Sequence, residues 1–211
     1  LGDGKQDNAK RILSNAFVSL IALAALVSAL MLSLRRPILM TFGASENTYM
    51  YAERYLIVCA AGAVFPILAT GLNQFIAAQG YSGISMATTA IGAAANIALD
   101  PLFIFVFRLD AMGAAIATVL SQFLSFAFVI LFLRMKRTQV RLTLAKPDIK
   151  VIFKIVKLGL SPFIIIATDS LIIIVSNAVL QRYGGADGDM WITVSTVVQA
   201  FFCLITMPLL G

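Results

Sequence analysis

Residues 96–107, NIALDPLFIFVF, place a carboxylate and a proline inside an otherwise apolar run. Asn96 and Asp100 are four residues apart, so in a helix their side chains lie on one face, a turn apart. Pro101 has no backbone N–H, which deprives the carbonyl of Ile97 of its helical donor. A carboxylate, an amide and a free carbonyl offer hard oxygen ligands. Such a set suits a small cation or a transferable proton.

The elements that must position these groups are apolar segments long enough to cross a bilayer. The chain is 60% hydrophobic and 12% charged, whereas soluble domains carry about 25% charged residues. The first segment holds no charge over 21 positions, and a helix of that length covers the roughly 30 Å hydrocarbon core. The sequence therefore predicts an all-α, polytopic transmembrane helix bundle with five complete spans and a truncated sixth. The predicted spans are 14–34, 55–79, 83–107, 109–133, 158–181 and 190–211.

The basic residues predict how these spans are oriented in an inner (plasma) membrane. If residues 1–13 are cytoplasmic and the spans alternate, eleven Lys and Arg residues fall in inside loops and five in outside loops. This asymmetry favours the chosen orientation. The net charge of +6 then indicates anionic lipid head groups as a partner rather than nucleic acid.

The segment 134–157 is the one substantial break in hydropathy and is predicted to be a basic cytoplasmic linker. Its second half places Lys150, Lys154 and Lys157 at helical spacing. Two interpretations stay open: an amphipathic helix in the membrane interface, or the cytoplasmic start of the next span.

Spans three and four are separated only by residues 108–110, which predicts a tight helical hairpin. Asp100 lies nine residues before the hairpin centre and Thr118 nine after it, so the two should lie at equal depth. Small residues recur at four-residue spacing on both helices, an arrangement that lets helices approach closely in lipid. These residues are Thr88 and Gly92 on the third span, and Gly113, Ala117, Ser121 and Ser125 on the fourth.

Asn96, Asp100 and Thr118 form the predicted cation or proton site. The alternative is a structural polar cluster that pins helices together, but an intramembrane carboxylate costs about 2.5–3.5 kcal/mol on insertion scales and is a functional candidate by default. Asp169, at the middle of the fifth predicted span, is a second candidate. In the second span, Pro66 is interpreted as a kink.

Two polar side chains of the second span, Asn73 and Gln74, are interpreted as helix contacts rather than a substrate site. The sequence does not indicate an enzyme, because it has no histidine and no paired catalytic residues. Its two cysteines, Cys59 and Cys203, lie inside predicted spans without metal-ligand spacing. No cofactor is predicted.

Five stretches, in order along the chain, resemble the multidrug and toxic compound extrusion (MATE) transporters. The resemblance implies twelve spans in two six-helix bundles joined by a cytoplasmic linker. Residues 1–133 would supply the third to sixth helices, 134–157 the linker, and 158–211 the seventh and part of the eighth. The stretches are LGDGKQDNAKRIL, LNQFIAAQGYSGISMA, NIALDPLFIF, GAAIATVLSQ and LGLSPF with NAVLQRYGG.

The resemblance also implies roles for the candidate residues. In one branch of the family, the Asn-x-x-x-Asp-Pro motif and a threonine on the next helix belong to a first-bundle cation site; here these are Asn96, Asp100, Pro101 and Thr118. A first-helix Asp, on a helix absent from this chain, completes that site. Another branch carries an acidic residue, usually Glu, where Asp169 stands. Features of both branches leave the coupling ion open between a proton and sodium.

The expected function is therefore that of a secondary antiporter that exports an organic, cationic and amphipathic compound in exchange for protons or sodium ions. Its other expected partners are the bilayer and the missing helices of the same polypeptide. One alternative is a lipid-linked precursor flippase of the same wider superfamily. Such proteins line their cavity with basic residues, and no predicted span here contains Lys or Arg. The other alternative is a structural membrane subunit, which would leave Asp100 unexplained.

The charge asymmetry generates a test of topology. Single cysteines introduced near residues 140–150 should react with a membrane-impermeant thiol reagent only from the cytoplasmic side, and cysteines at 184–189 only from outside. Labelling in sealed vesicles of known orientation measures this. Reaction of both loops from the same side would contradict the predicted topology.

Overall fold

The computed structural model describes residues 6–135, 138–143 and 147–210, with the side chains of residues 6, 186 and 204–210 excepted. Parts of the predicted linker, 136–137 and 144–146, lie outside the described residues. Within the described part every regular element is helical. The α-helices are α1 (Gln6–Ser33), α2 (Arg35–Thr41), α3 (Glu46–Gly62), α4 (Val64–Ala78), α5 (Ser82–Pro101), α6 (Asp110–Arg134), α7 (Ile149–Tyr183) and α8 (Gly188–Leu210).

The helices match the predicted spans and confirm the all-α polytopic bundle. Four segments of the described chain are long and apolar enough to cross a membrane, and α3 with α4 makes a fifth if the bent pair is one span. Helix α8 occupies the predicted truncated sixth span. Helix α7 runs without a break from Ile149 to Tyr183, so residues 149–157 are the first turns of the same helix as the fifth predicted span. The four long segments are Asp7–Ser33, Ser82–Val106, Asp110–Arg134 and Ile149–Tyr183.

The second predicted span, 55–79, differs from a single straight helix. It is formed by α3 and α4, which meet at an angle of 50°, and α3 begins at Glu46, well before the predicted start. Pro66 has no N–H to donate to the carbonyl of Gly62, four residues earlier, so the helical ladder is interrupted there. Gly62 also allows close approach to α6, because a Cβ at this position would lie 2.5 Å from the side chain of Val119. The kink assigned to Pro66 is therefore observed.

Helices α5 and α6 form the predicted hairpin. After α5 the chain makes a five-residue π-helix, Leu102–Val106, and then turns through Arg108 and Asp110, whose φ angles are +54° and +47°. Non-glycine residues seldom adopt this left-handed conformation, and here two of them flank a single residue. The small residues predicted to mediate close packing are all buried. They are Thr88 and Gly92 on α5, and Gly113, Ala117, Ser121 and Ser125 on α6.

The chain divides into two compact units. The first comprises residues 1–35 and 54–160, within which α4 packs against α1, α5 and α6. Its apolar core combines residues from α1, α4 and α6 with one residue from the linker. These are Leu13, Leu68, Leu72, Ile76, Val129, Leu133 and Val140.

The second unit comprises residues 36–53 and 161–211. Within it the Ser45 hydroxyl donates to the Asp189 carboxylate at 2.9 Å. Gly43, at φ +93°, lies against the backbone oxygen of Asn177, where an added Cβ would be 3.3 Å away. Ser45 and Asp189 belong to two segments predicted to lie on the same, outer side of the membrane.

The α5–α6 contact generates a prediction about packing. Gly92→Leu should lower the thermal stability of the purified protein, because even a Cβ at residue 92 would meet the Ser125 hydroxyl. Overpacking of this kind costs about 1–3 kcal/mol. The measurement is the fraction of protein that remains monodisperse in detergent after heating.

The matched control is Gly83→Leu on the same helix, where an added Cβ meets nothing within 4 Å. Leucine is a better helix former than glycine, so this control should be neutral or stabilising. Equal behaviour of the two variants would contradict the close packing of α5 on α6.

Candidate functional site

The predicted Asn96–Asp100 pair is formed in the structure. The Asn96 side-chain Nδ2 donates to Asp100 Oδ1 at 3.2 Å, and both residues are partly buried. Helix α5 positions them a turn apart on one face, as the spacing predicts. The bond does not use the second carboxylate oxygen of Asp100 or the amide oxygen of Asn96, so two oxygen atoms of the pair are left for another partner.

Thr118, on α6, lines the same cavity as Asn96. The cavity has a volume of about 390 Å³ and lies within the first unit, between α4, α5 and α6. Asp100 is not among its lining residues; it lies one turn from Asn96 along α5, toward the hairpin turn. The lining consists of amide, hydroxyl and small side chains: Ala69, Thr70, Asn73, Gln74, Thr88, Thr89, Gly92, Ala93, Asn96, Thr118, Ser121, Gln122 and Ser125.

Tyr55 lies near Thr118 and Asp100 and is a residue that sequence reasoning missed. Its hydroxyl is within reach of the Thr118 hydroxyl and the Cys59 thiol, and the Asp100 carboxylate is close enough to interact with it electrostatically. Tyr55 stands at the start of the second predicted span, where a tyrosine is an ordinary interfacial residue. No signal within α3 itself indicates this contact, because it depends on how α3 packs against α6.

The chain beyond Pro101 does not continue as a regular α-helix. The wider turns of the π-helix begin at Leu102, and the N–H of Phe107 bonds the carbonyl of Leu102, five residues earlier, at 3.0 Å. Insertions of π-helix are frequent at functional sites. Pro101 thus marks a change in helix geometry directly after the candidate carboxylate.

Two residues that were interpreted from sequence as helix contacts also line the cavity in the structure. Asn73 does join helices, since its Nδ2 donates to the carbonyl of Ser85 at 3.1 Å. Both Asn73 and Gln74 also line the cavity, and the Asn73 Oδ1 atom is buried without a hydrogen-bond partner. Their assignment to packing alone was incomplete, because α4 packs against α5 and α6 and this part of α4 lines the cavity between them.

Asp169 lies in the second unit and is separate from the Asn96–Asp100 pair. It lines a cavity of about 350 Å³ between α7 and α8. The polar part of that lining comes from both helices. Those side chains are Asp169, Ser176, Asn177, Ser195, Gln199 and Cys203.

The two sites share a chemistry. The second cavity is lined by the Asp169 carboxylate, whereas the first is lined by neutral side chains with Asp100 one turn away, and neither cavity has a Lys or Arg among its described lining residues. A single carboxylate in a low-dielectric setting is stabilised when it takes up either a proton or a monovalent cation. A carboxylate in such a setting can exchange a bound proton for a monovalent cation reversibly.

Comparison with known proteins shows which transporters this chain resembles in sequence and fold. The MatE family model matches residues 1–102. The multidrug export protein MepA of Staphylococcus aureus (strain bovine RF122 / ET3-1) is 32% identical over 187 residues, covering 87% of this chain and 41% of MepA. The chain therefore spans about two-fifths of the curated relatives that it matches.

Solved structures agree with the sequence relatives. A multidrug resistance MATE family transporter of the MOP superfamily, in an inward-facing conformation, matches with a TM-score of 0.83 at 26% identity, over 89% of this chain and 43% of that one. A MOP superfamily transporter from Pyrococcus furiosus, described as having a binding pocket of reverse polarity and a different function, also gives 0.83 at 26% identity, over 98% and 46%. This chain is similar to MATE family transporters in both sequence and fold. It is part of a multi-pass membrane protein, and the predicted resemblance is confirmed.

The second cavity generates a prediction about Asp169. In the intact transporter, Asp169→Asn should change the pH or sodium dependence of efflux, because it removes the only carboxylate among the described residues that line this cavity. Efflux measured across a series of pH values and sodium concentrations tests this.

Asp187→Asn is the matched control, since Asp187 is exposed in the short 3-10 helix before α8. It should leave both dependences unchanged. If Asp169→Asn reduces folded protein but preserves the ion dependence, Asp169 has a structural role.

Proposed function

We propose that this chain is part of a secondary active antiporter that exports organic, cationic and amphipathic compounds in exchange for protons or sodium ions. The observation that carries the proposal is the Asn96–Asp100 hydrogen bond of 3.2 Å within a membrane-spanning helix. Asn96 also lines a polar cavity with Thr118. The named function of the relatives, multidrug export, supports an export role.

Asp100 would carry the coupling charge. In hydrocarbon, desolvation in general favours the protonated form of a carboxyl group, whereas a bound cation favours the carboxylate. The two occupants therefore exclude each other, which is the requirement for exchange. Asn96 holds one carboxylate oxygen by its amide N–H, and Thr118 and Tyr55 supply hydroxyl groups nearby. With either a proton or a monovalent cation bound to Asp100, the site has no net charge. The transporter can therefore change conformation without exposing a net charge to hydrocarbon.

The substrate class follows from charge and lining. The first cavity offers amide and hydroxyl groups between small apolar side chains, which fits an amphipathic compound with few charges. The acidic groups of the two candidate sites, Asp100 and Asp169, favour a cationic substrate over an anionic one. The proposed transport would proceed by alternating access, which in secondary transporters is the reorientation of two helical bundles.

A lipid-linked precursor flippase is the less supported function. An anionic diphosphate headgroup needs basic partners, and no Lys or Arg lies among the described residues that line either cavity. The neutral and acidic side chains that line the two cavities support export of cationic compounds instead.

The proposal generates a test at Asp100. In the full-length transporter, Asp100→Asn keeps the size of the side chain and removes its charge, so the protein should insert and fold yet lose ion-driven efflux. The measurement is efflux of a fluorescent organic cation from vesicles that contain matched amounts of folded protein, driven by an imposed proton or sodium gradient.

Asp110→Asn is the matched control, because Asp110 is exposed at the start of α6 and its left-handed backbone suits asparagine. It should transport like the wild type. Asn96→Ala and Thr118→Ala should each weaken apparent ion affinity about tenfold, the effect of losing one hydrogen bond or ligand of roughly 1.4 kcal/mol. If Asp100→Asn exports like the wild type, the carboxylate is only structural and the proposal is wrong.

A further inference from the structure

The described part of the linker is fixed to the first unit by two buried side-chain amides. Residues 138–143, which we term the strap, follow α6, and Asp148 directly precedes α7. Asn15 on α1 is 2% exposed and Gln79, at the end of α4, is 8% exposed. Neither amide is part of the candidate sites, and each contacts the backbone of the linker.

Gln79 binds the middle of the strap. Its Oε1 atom accepts the backbone N–H of Val140 at 2.9 Å. Its Nε2 atom donates to the carbonyl of Phe75, four residues back on its own helix, at 3.1 Å. The helix bond fixes the orientation of the amide, so the oxygen is held toward the strap.

Asn15 forms the same pair of hydrogen bonds, one to its own helix and one to the linker backbone just before α7. Its Nδ2 atom donates to the carbonyl of Arg11, four residues back, at 2.8 Å, and its Oδ1 atom accepts the N–H of Asp148 at 2.6 Å. The Asp148 carboxylate in turn accepts the N–H of Lys150 at 2.9 Å, which caps the first turn of α7. The beginning of α7 is thereby attached to α1.

Apolar contacts complete the attachment of the strap. Val140 is 3% exposed and belongs to the core of the first unit, and Leu142 packs against that core. The Leu142 N–H also bonds the carbonyl of Leu133, in the last turn of α6, at 3.1 Å. Removal of the strap would expose Val140 and leave buried amide groups without partners, and both changes are unfavourable.

We propose that the strap is a permanent part of the first bundle, anchored by Gln79 and Asn15, and that the connection that moves during transport begins after Asp148, within α7. The boundary between the two compact units falls inside α7, between Leu160 and Ser161. It lies beside Pro162, whose missing N–H weakens the helix at that point. The anchoring is independent of the proposed function, whereas the statement about movement rests on it.

Hydrogen exchange of the full-length protein tests the anchoring without any transport assay. The Val140 amide should be protected in the wild type and should exchange about tenfold faster in Gln79→Met, which removes one hydrogen-bond acceptor. The same substitution at the neighbouring exposed residue, Gln139→Met, is the matched control and should leave Val140 protected. Rapid exchange of Val140 in the wild type, or equal exchange in both variants, would overturn the anchoring.

A covalent lock tests whether the attachment persists through the cycle. Asn15→Cys with Asp148→Cys should allow a disulfide or a short bismaleimide bridge between α1 and the start of α7. Efflux by the bridged transporter should equal efflux by its reduced form, because the bridge joins groups that stay together. Wild-type protein, which retains Cys59 and Cys203, receives the same treatments as a control.

The results of these experiments distinguish failure of the strap proposal from failure of the proposed transport function. Efflux that is lost on bridging and restored by a reducing agent would show that the linker detaches in each cycle, and the proposal would be wrong. Absence of ion-driven efflux in the wild type would contradict the proposed function, while protection of Val140 would still support the strap.

Discussion

The hydrocarbon core of the membrane offers no hydrogen-bond partners, and this constraint accounts for most of what the structure does with its polar side chains. Hydroxyl groups within the spans bond the carbonyl four residues back on their own helix, as Thr88 does to Ile84 and Ser170 to Ile166. A carboxylate has no donor of its own when ionised and needs one from a neighbour. Asn96 supplies that donor to Asp100, which is why the pair stands out from the other polar residues.

Small residues account both for the close packing of α5 on α6 and for the polar cavity beside it. Gly92 lets the backbone of α5 approach Ser125 of α6, and Gly113 lets the backbone of α6 approach Phe103 in the π-helix. Ser125 then crosses the contact to bond the carbonyl of Thr88 at 3.1 Å. Because these side chains are short, they leave space beside the contact, and the bent helix α4 contributes the remaining wall. The same residues thus stabilise the hairpin and leave a space lined by hydroxyl and amide groups.

The two compact units use their polar residues differently. In the first unit, buried amides at Asn15 and Gln79 fasten linker backbone, while Asn96 serves the candidate ion site. In the second unit, no residue of α7 among those described is buried, and Asp169 lines an open space with α8. The Asp100 carboxylate of the first unit has its positioning partner, Asn96, within this chain.

The sequence by itself determined the features that depend on neighbours within about four positions. Apolar runs of span length, the shared face of Asn96 and Asp100, the small-residue faces of the hairpin and the break at Pro66 all follow from helix periodicity and backbone chemistry. The tertiary structure decided the features that join distant segments. Tyr55 meets Thr118, Asn73 faces the cavity, and Gln79 binds Val140 only because particular helices pack at particular angles. The hydropathy pattern does not predict those angles, because they depend on the packing of many side chains that are far apart in the chain.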